Sequence, residues 1–223
     1  LLPDKFELQV GGLRGDSEAG ISYGKTYVRM DGVRQQSPSQ GSGEMHRDLF
    51  PALLKTRLWE TSTPLYRSSV LEKIGPWSTR RQLEDWEFDS RAGAAGIKLH
   101  YCDQFIAEYI NHDEGRLCHL WMTNTDAMRD RISAYIAVLE NAQKAGVARE
   151  SSEMQQFARS LFWMARSAGI YGLPKEAQVL FDLSRELSIA PGWDFRILGL
   201  STKLLGWKLS CKLAEAFMGR RKQ

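Results

Sequence analysis

An acidic pair at the start of a predicted helix, Glu84-Asp85, most constrains what this chain can fold into, because recognisable elements lie on both sides of it. Apolar periodicity and glycine or proline breaks predict two helices and two short strands around the pair, at 68–74, 85–95, 97–101 and 105–110. Gly75-Pro76 stops the first of these helices, and Gly96 closes the second. Helices that alternate with strands in this way are typical of α/β proteins.

The remainder of the chain divides into two parts of different character. Before the acidic pair, helical and strand patterns are mixed, and they fall at 3–14, 19–30, 33–35, 45–58 and 58–66. After residue 115 the patterns are helical only, and they fall at 117–144, 154–168, 175–187 and 196–218. We therefore predict an α/β domain over residues 1–115 and an α-helical region over residues 116–223.

Composition excludes several classes of protein. A chain of 223 residues is long enough to bury a core, and its net charge of +3 is too small to indicate a nucleic-acid partner. The three cysteines follow no metal-binding spacing, which favours a reducing compartment. The sequence begins with no secretory signal pattern. We expect a cytoplasmic protein.

The order of motifs around the acidic pair resembles the acceptor side of a family 2 glycosyltransferase of the GT-A fold. In that family a strand ending in Arg, here Arg67, leads to a helix ending Ile-Gly-x-Trp, here 74–77. An acidic pair then opens a helix, and a strand ends in Tyr-x-x-His, here 109–112. The run PDKFELQ at 3–9 is similar to the family segment that follows its metal-binding Asp-x-Asp loop. The resemblance implies part of a mixed GT-A sheet followed by a helical extension, in a chain that starts after the nucleotide-binding half.

The resemblance also implies a reaction. Asp85 would be the general base when a sugar moves, with inversion, from a nucleotide-diphosphate donor to an acceptor hydroxyl. The acceptor would be a polysaccharide, a lipid-linked glycan or another glycoconjugate. Carboxylates are also favoured at helix N-termini for electrostatic reasons, so helix capping is the alternative role of Asp85.

Neighbours of Asp85 are candidates for substrate binding. Glu84 would contact substrate or hold the loop, and Trp86 and Trp77 would line the acceptor pocket, because aromatic rings stack on the apolar faces of sugars. Core packing is the alternative for both tryptophans. Arg81, in the loop before the helix, would approach the diphosphate, and its alternative is a solvated loop charge.

His112 is the candidate metal ligand. The resemblance places a His after the last core strand close to a divalent metal, Mn or Mg, which neutralises charge on the leaving diphosphate. A surface His at the end of a strand is the alternative.

The C-terminal helical pattern allows two roles. Lys203, Lys208 and Lys212 interrupt it and exclude a comfortable transmembrane span. The helix would pack against the other helices, which we favour, or make peripheral contact with an anionic membrane at its inner face.

Two further functions stay open at this point. The chain would be a non-catalytic fragment or interaction protein whose helical region binds a partner or a membrane surface. A hydrolase using Asp85 with Asp89 or Asp103 has no support beyond the presence of these residues. Because the donor-binding half is expected to precede this sequence, we expect the isolated chain to be inactive as a transferase.

Overall fold

A mixed four-stranded sheet is built around one central strand, β1 (Ala19–Met30). The computed structural model describes residues 1–39, 41–111 and 124–219, and side chains as far as residue 216. Strand β4 (Lys98–Asn111) pairs parallel with β1 along its whole length. Strand β3 (Leu65–Tyr66) pairs antiparallel with the start of β1, and β2 (Val33–Pro38) pairs antiparallel with its end. The first six residues of β1 are buried, which agrees with its central place. The α/β class is therefore confirmed.

The predicted hairpin between β1 and β2 is present. Asp31 and Gly32 both have positive φ angles, 50° and 77°, as a two-residue turn between twisted strands requires. The two strands predicted at 97–101 and 105–110 are instead one strand with a bulge. Gly24 pairs with Cys102 and the next residue of β1 pairs with Phe105, so two residues of β4 are extra at this point.

Seven helices lie within the described residues: α1 (Lys5–Gly15), α2 (Ser68–Ile74), α3 (Glu84–Ala94), α4 (Thr125–Lys144), α5 (Ser152–Ile170), α6 (Pro174–Leu187) and α7 (Trp193–Gly219). Their N-termini follow sequence signals. The side chain of Asn124 accepts hydrogen bonds at the start of α4, Ser151 does so for α5, and Pro174 opens α6. Helix α7 is interrupted at Gly206, whose φ of 74° is not helical. No helix in the ranges given above is long and apolar enough to cross a membrane.

Two predicted elements are wrong. The leucine pattern at 45–58 is not a helix, and only a short 3₁₀ turn, Ala52–Leu54, forms there. Pro51 explains this, because it has no N–H to donate and its ring obstructs the preceding helical turn. The leucines of the pattern are nevertheless buried. The strand predicted at 58–66 is reduced to Leu65–Tyr66, and the residues before it form turns that face α3.

A continuous hydrophobic core joins the sheet to the C-terminal helices. Trp86 of α3 contacts Tyr135 of α4 and Phe157 of α5, with ring centroids 5.1 and 5.9 Å away. The buried Asn141 of α4 donates to Ser90 of α3 over 2.9 Å. The predicted boundary near residue 115 lies outside the described residues, and the two regions stay a prediction.

Candidate functional site

The backbone that enters α3 adopts an unusual conformation next to the acidic pair. Leu83 has a φ of +57°, in the left-handed region that non-glycine residues seldom adopt. This conformation costs on the order of 1 kcal/mol or more, so the surrounding structure must hold it. Glu84 and Asp85 follow in the first turn of the helix, and both side chains are half-buried.

The carboxylate of Asp85 is held by three donors. Its Oδ1 accepts from the backbone N–H of Trp86 over 2.8 Å. Its Oδ2 accepts from the hydroxyl of Thr61 over 2.8 Å and from Nη1 of Arg57 over 2.5 Å. The side chain keeps 22% of its surface exposed. A solvent-borne group can therefore reach a carboxylate whose orientation is already fixed.

A second carboxylate, that of Asp89, lies one turn further along α3 and is completely buried. Its Oδ2 accepts from Nε of Arg57 over 2.9 Å and from Nε1 of Trp59 over 3.1 Å, and its Oδ1 accepts from the hydroxyl of Tyr66 over 2.6 Å. Burial raises the pKa of Asp89, against the opposing effects of the Arg57 charge and the Tyr66 hydrogen bond. Burial, reinforced by the charge of Asp89, also raises the pKa of Tyr66 well above its usual value.

Arg57 joins the two carboxylates. Its side chain is 16% exposed, and it binds Asp85 through Nη1 and Asp89 through Nε. Burial alone would lower the pKa of Arg57, but the charges of Asp89 and Asp85 outweigh it and raise the pKa. The guanidinium is thus a fixed positive charge between one closed carboxylate and one accessible carboxylate.

Sequence reasoning missed most of this cluster, which consists of Arg57, Trp59, Thr61, Tyr66 and Asp89. One signal could have found part of it. Asp85 and Asp89 are four residues apart in a predicted helix and so share one face of it. Arg57, Trp59 and Thr61 lie in an irregular segment of turns and bends, and no periodic pattern in the sequence points to their meeting with α3.

The two tryptophans have different environments. Trp86 is 7% exposed, its Nε1 donates to the carbonyl of Leu53 over 2.9 Å, and Tyr135 and Phe157 pack against it. Trp86 is therefore a core residue. Both faces of its indole are covered, so the expected contact of Trp86 with a sugar is not possible in this structure. Trp77 is 43% exposed and stacks on Phe88 of α3 at 4.6 Å, which leaves it as the aromatic candidate.

The other predicted residues are distributed around the start of α3. The backbone N–H and Nε of Arg81 donate to Asp130 of α4 over 3.2 and 3.3 Å, and its side chain is 59% exposed. His112 lies outside the described residues. Among the residues that are described, no group of three or more His, Cys, Asp or Glu side chains could hold a metal ion. The divalent metal stays a prediction.

Comparison of the chain with protein-family models, with curated proteins and with solved structures finds no match. The resemblance to family 2 glycosyltransferases rests on the motifs around Glu84-Asp85. The geometry adds an accessible carboxylate at the predicted position of the base, held by a polar cluster whose inner members, Trp59 and Asp89, are buried.

Proposed function

We propose that this chain is the acceptor-side region of an inverting, family 2-like glycosyltransferase in which Asp85 is the general base. The observation that carries the proposal is the state of the Asp85 carboxylate. Arg57 and Thr61 fix one oxygen and the helix backbone fixes the other, while part of the side chain is open to solvent. Such pre-orientation is what a group that removes a proton in the transition state requires.

The reaction places a sugar acceptor against Asp85. The carboxylate takes the proton of the acceptor hydroxyl while the oxygen of that hydroxyl bonds to the anomeric carbon of the donor sugar. The bond from that carbon to the nucleoside diphosphate breaks on the opposite face, so the configuration inverts. A divalent metal, Mn or Mg, would stabilise the departing diphosphate, with His112 as its expected ligand.

The hydrogen bonds of Asp85 leave room for this substrate. A carboxylate accepts about four hydrogen bonds, and Asp85 uses three, so it retains capacity for one hydroxyl. A single helix-cap role would not need Arg57 or Thr61. Trp77 presents an exposed indole beside α3, and Glu84 lies next to the base, so both remain candidates for acceptor contacts.

Nucleoside diphosphate release tests the proposal. The assay uses the protein purified from its source at its native length, with a panel of nucleotide sugars and Mn²⁺ or Mg²⁺. We expect turnover that Asp85→Asn lowers by about 10²- to 10⁴-fold, the usual contribution of a general base. Asp48→Asn is the matched control, because Asp48 is an exposed carboxylate paired with Lys98.

Two outcomes would contradict the proposal. One is full turnover by Asp85→Asn with an unchanged melting temperature, and the other is no turnover with any donor in the panel. The mass of the purified protein is measured first, against the 25.4 kDa of this chain.

A further inference from the structure

Helix α7 has an outward apolar stripe that its packing does not explain. Trp193, Ile197, Leu200 and Leu204 are 75%, 64%, 65% and 82% exposed. Their spacing of four, three and four residues places them on one face of the helix, over a length of about 16 Å. Exposed leucines are common singly, but a row of four large apolar side chains marks an interaction surface.

The opposite face of α7 is already buried. Phe195 stacks near Phe162 of α5 and Phe181 of α6, at 4.4 and 5.9 Å between ring centroids. After the interruption at Gly206, Trp207 packs against Phe181 at 5.8 Å. The packing that the sequence favours for this helix is therefore present, and it accounts for only one of two apolar faces.

Basic side chains accompany the outward stripe. Arg196 and Lys203 are exposed on the same helix, and the guanidinium of Arg196 lies 5.1 Å from the ring of Trp193. Beyond Gly206, where the helix is interrupted, Lys208 and Lys212 are exposed as well. Between residues 193 and 216 the sequence has two acidic residues against these four basic ones.

The basic charge beside the stripe distinguishes between two possible binding partners, a second copy of the chain and an anionic lipid surface. A second copy docked on the same face by two-fold symmetry would bring the basic side chains of both copies together, which is unfavourable. An anionic lipid surface complements both properties at once, because headgroups pair with Lys and Arg while the stripe enters the acyl boundary. Tryptophan at the end of the stripe suits the interface between water and lipid.

We propose that the outward face of α7 before Gly206, defined by Trp193, Ile197, Leu200 and Leu204 with Arg196 and Lys203, binds the surface of a bilayer that contains anionic lipids. The helix lies in the plane of the headgroups rather than across the membrane. The proposal does not depend on glycosyl transfer.

Flotation of the 223-residue chain with lipid vesicles tests it. Neutral phosphatidylcholine vesicles are compared with vesicles in which about a third of the lipid is phosphatidylglycerol, at about 0.05 M and about 0.5 M salt. We expect the chain to float with the anionic vesicles at low salt, and to bind them several-fold less at high salt. Protein without vesicles stays at the bottom and controls for aggregation.

Two double variants separate the apolar and charged contributions. Leu200→Ser with Leu204→Ser lowers vesicle affinity at least about tenfold. Arg196→Glu with Lys203→Glu lowers the affinity to a similar extent and also removes its dependence on salt. The matched apolar control is Val10→Ser with Leu71→Ser, since both side chains are exposed on other helices. The matched charge control is Lys144→Glu with Lys175→Glu, and both controls bind as the wild type does.

Three results would overturn the proposal. They are no flotation with anionic vesicles, equal flotation of the wild type and the leucine double variant, and flotation that is independent of lipid charge. Light scattering on the same samples identifies the competing occupant. A dimer that Leu200→Ser with Leu204→Ser dissociates, in a chain that does not bind vesicles, assigns the face to a second copy.

Discussion

Asp85 and Asp89 lie one helical turn apart on α3 and accept hydrogen bonds from the same guanidinium, that of Arg57. The two carboxylates differ in access, because Asp89 is fully buried and Asp85 is partly exposed. Asp89 also binds Trp59 and Tyr66, so Arg57 is anchored on its buried side. The orientation of the accessible carboxylate of Asp85 is thereby set by an arginine that is itself held by a buried carboxylate.

Arg57→Lys tests whether this network positions the proposed base. A lysine carries the charge but cannot donate to two carboxylates in a fixed planar geometry. Under the proposed mechanism, we expect kcat to fall by about tenfold or more and the KM for the nucleotide sugar to change less, because Arg57 acts through the base Asp85. Arg185→Lys, at an exposed position on α6, is the control and leaves both constants as they are. An unchanged kcat with only a lower melting temperature would make Arg57 purely structural.

Asp89→Asn is expected to lower the free energy of unfolding by about 1–3 kcal/mol. Both carboxylate oxygens accept hydrogen bonds, and an amide replaces one acceptor by an N–H that faces another donor. Tyr66→Phe removes one donor with little change in side-chain size and leaves Asp89 the bonds of Arg57 and Trp59, so we expect a smaller loss of unfolding free energy, about 0.5–1.5 kcal/mol. Urea denaturation measures both, and equal losses for the two variants would contradict this account.

Glu108→Gln gives a pH-dependent prediction. Arg34 binds both oxygens of Glu108, over 3.0 and 2.8 Å, and Arg29 adds a third bond, so hydrogen bonding and charge lower the pKa of Glu108. A carboxylate with a lowered folded pKa stabilises the fold above its unfolded pKa of about 4.3, and this contribution disappears as the pH falls through the folded value.

Urea denaturation measures the free energy of unfolding of the wild type and of Glu108→Gln, first at neutral pH and again below about pH 4. The stability gap between the two proteins narrows as the pH falls. Glu140→Gln, at an exposed position on α4, serves as the control. A gap that stays constant with pH would show that the ion pairs of Glu108 do not stabilise the fold.

Gly169→Ala tests the close packing of α7 against α5. A Cβ at this position would lie 2.8 Å from Sγ of Cys211 and 3.1 Å from the Trp207 ring, so one of the helices must shift. We expect a loss of about 1–3 kcal/mol in the free energy of unfolding. Gly11→Ala is the matched change in α1, where a Cβ meets nothing within 4 Å, and it should raise stability by up to about 1 kcal/mol. The opposite order of stabilities would refute the close contact.

Local sequence signals predicted the elements that carry them. The helices at 68–74 and 84–94 follow from apolar spacing with glycine stops, and the β1–β2 turn follows from Asp31-Gly32. The segment 45–58 shows the limit of such reasoning, because its buried leucines have helical spacing but Pro51 prevents the helix.

The candidate site was only partly predictable for a different reason. Asp85 is marked by local context, whereas its partner Arg57 lies 28 residues earlier in a segment that has no regular structure. Contacts between such distant positions are set by how α3 packs, which short-range patterns do not encode. The same holds for Trp86, whose burial depends on helices that begin after residue 124.

The contacts of Trp86 with Tyr135 and Phe157 define the unit that can be transplanted. A chimera that exchanged residues 1–115 alone would leave the indole next to Asp85 against foreign or missing side chains. A transfer of the α3 site to another protein must therefore carry the matching faces of α4 and α5 together with α3. The smallest segment that preserves the surroundings of Asp85 therefore includes parts of α4 and α5.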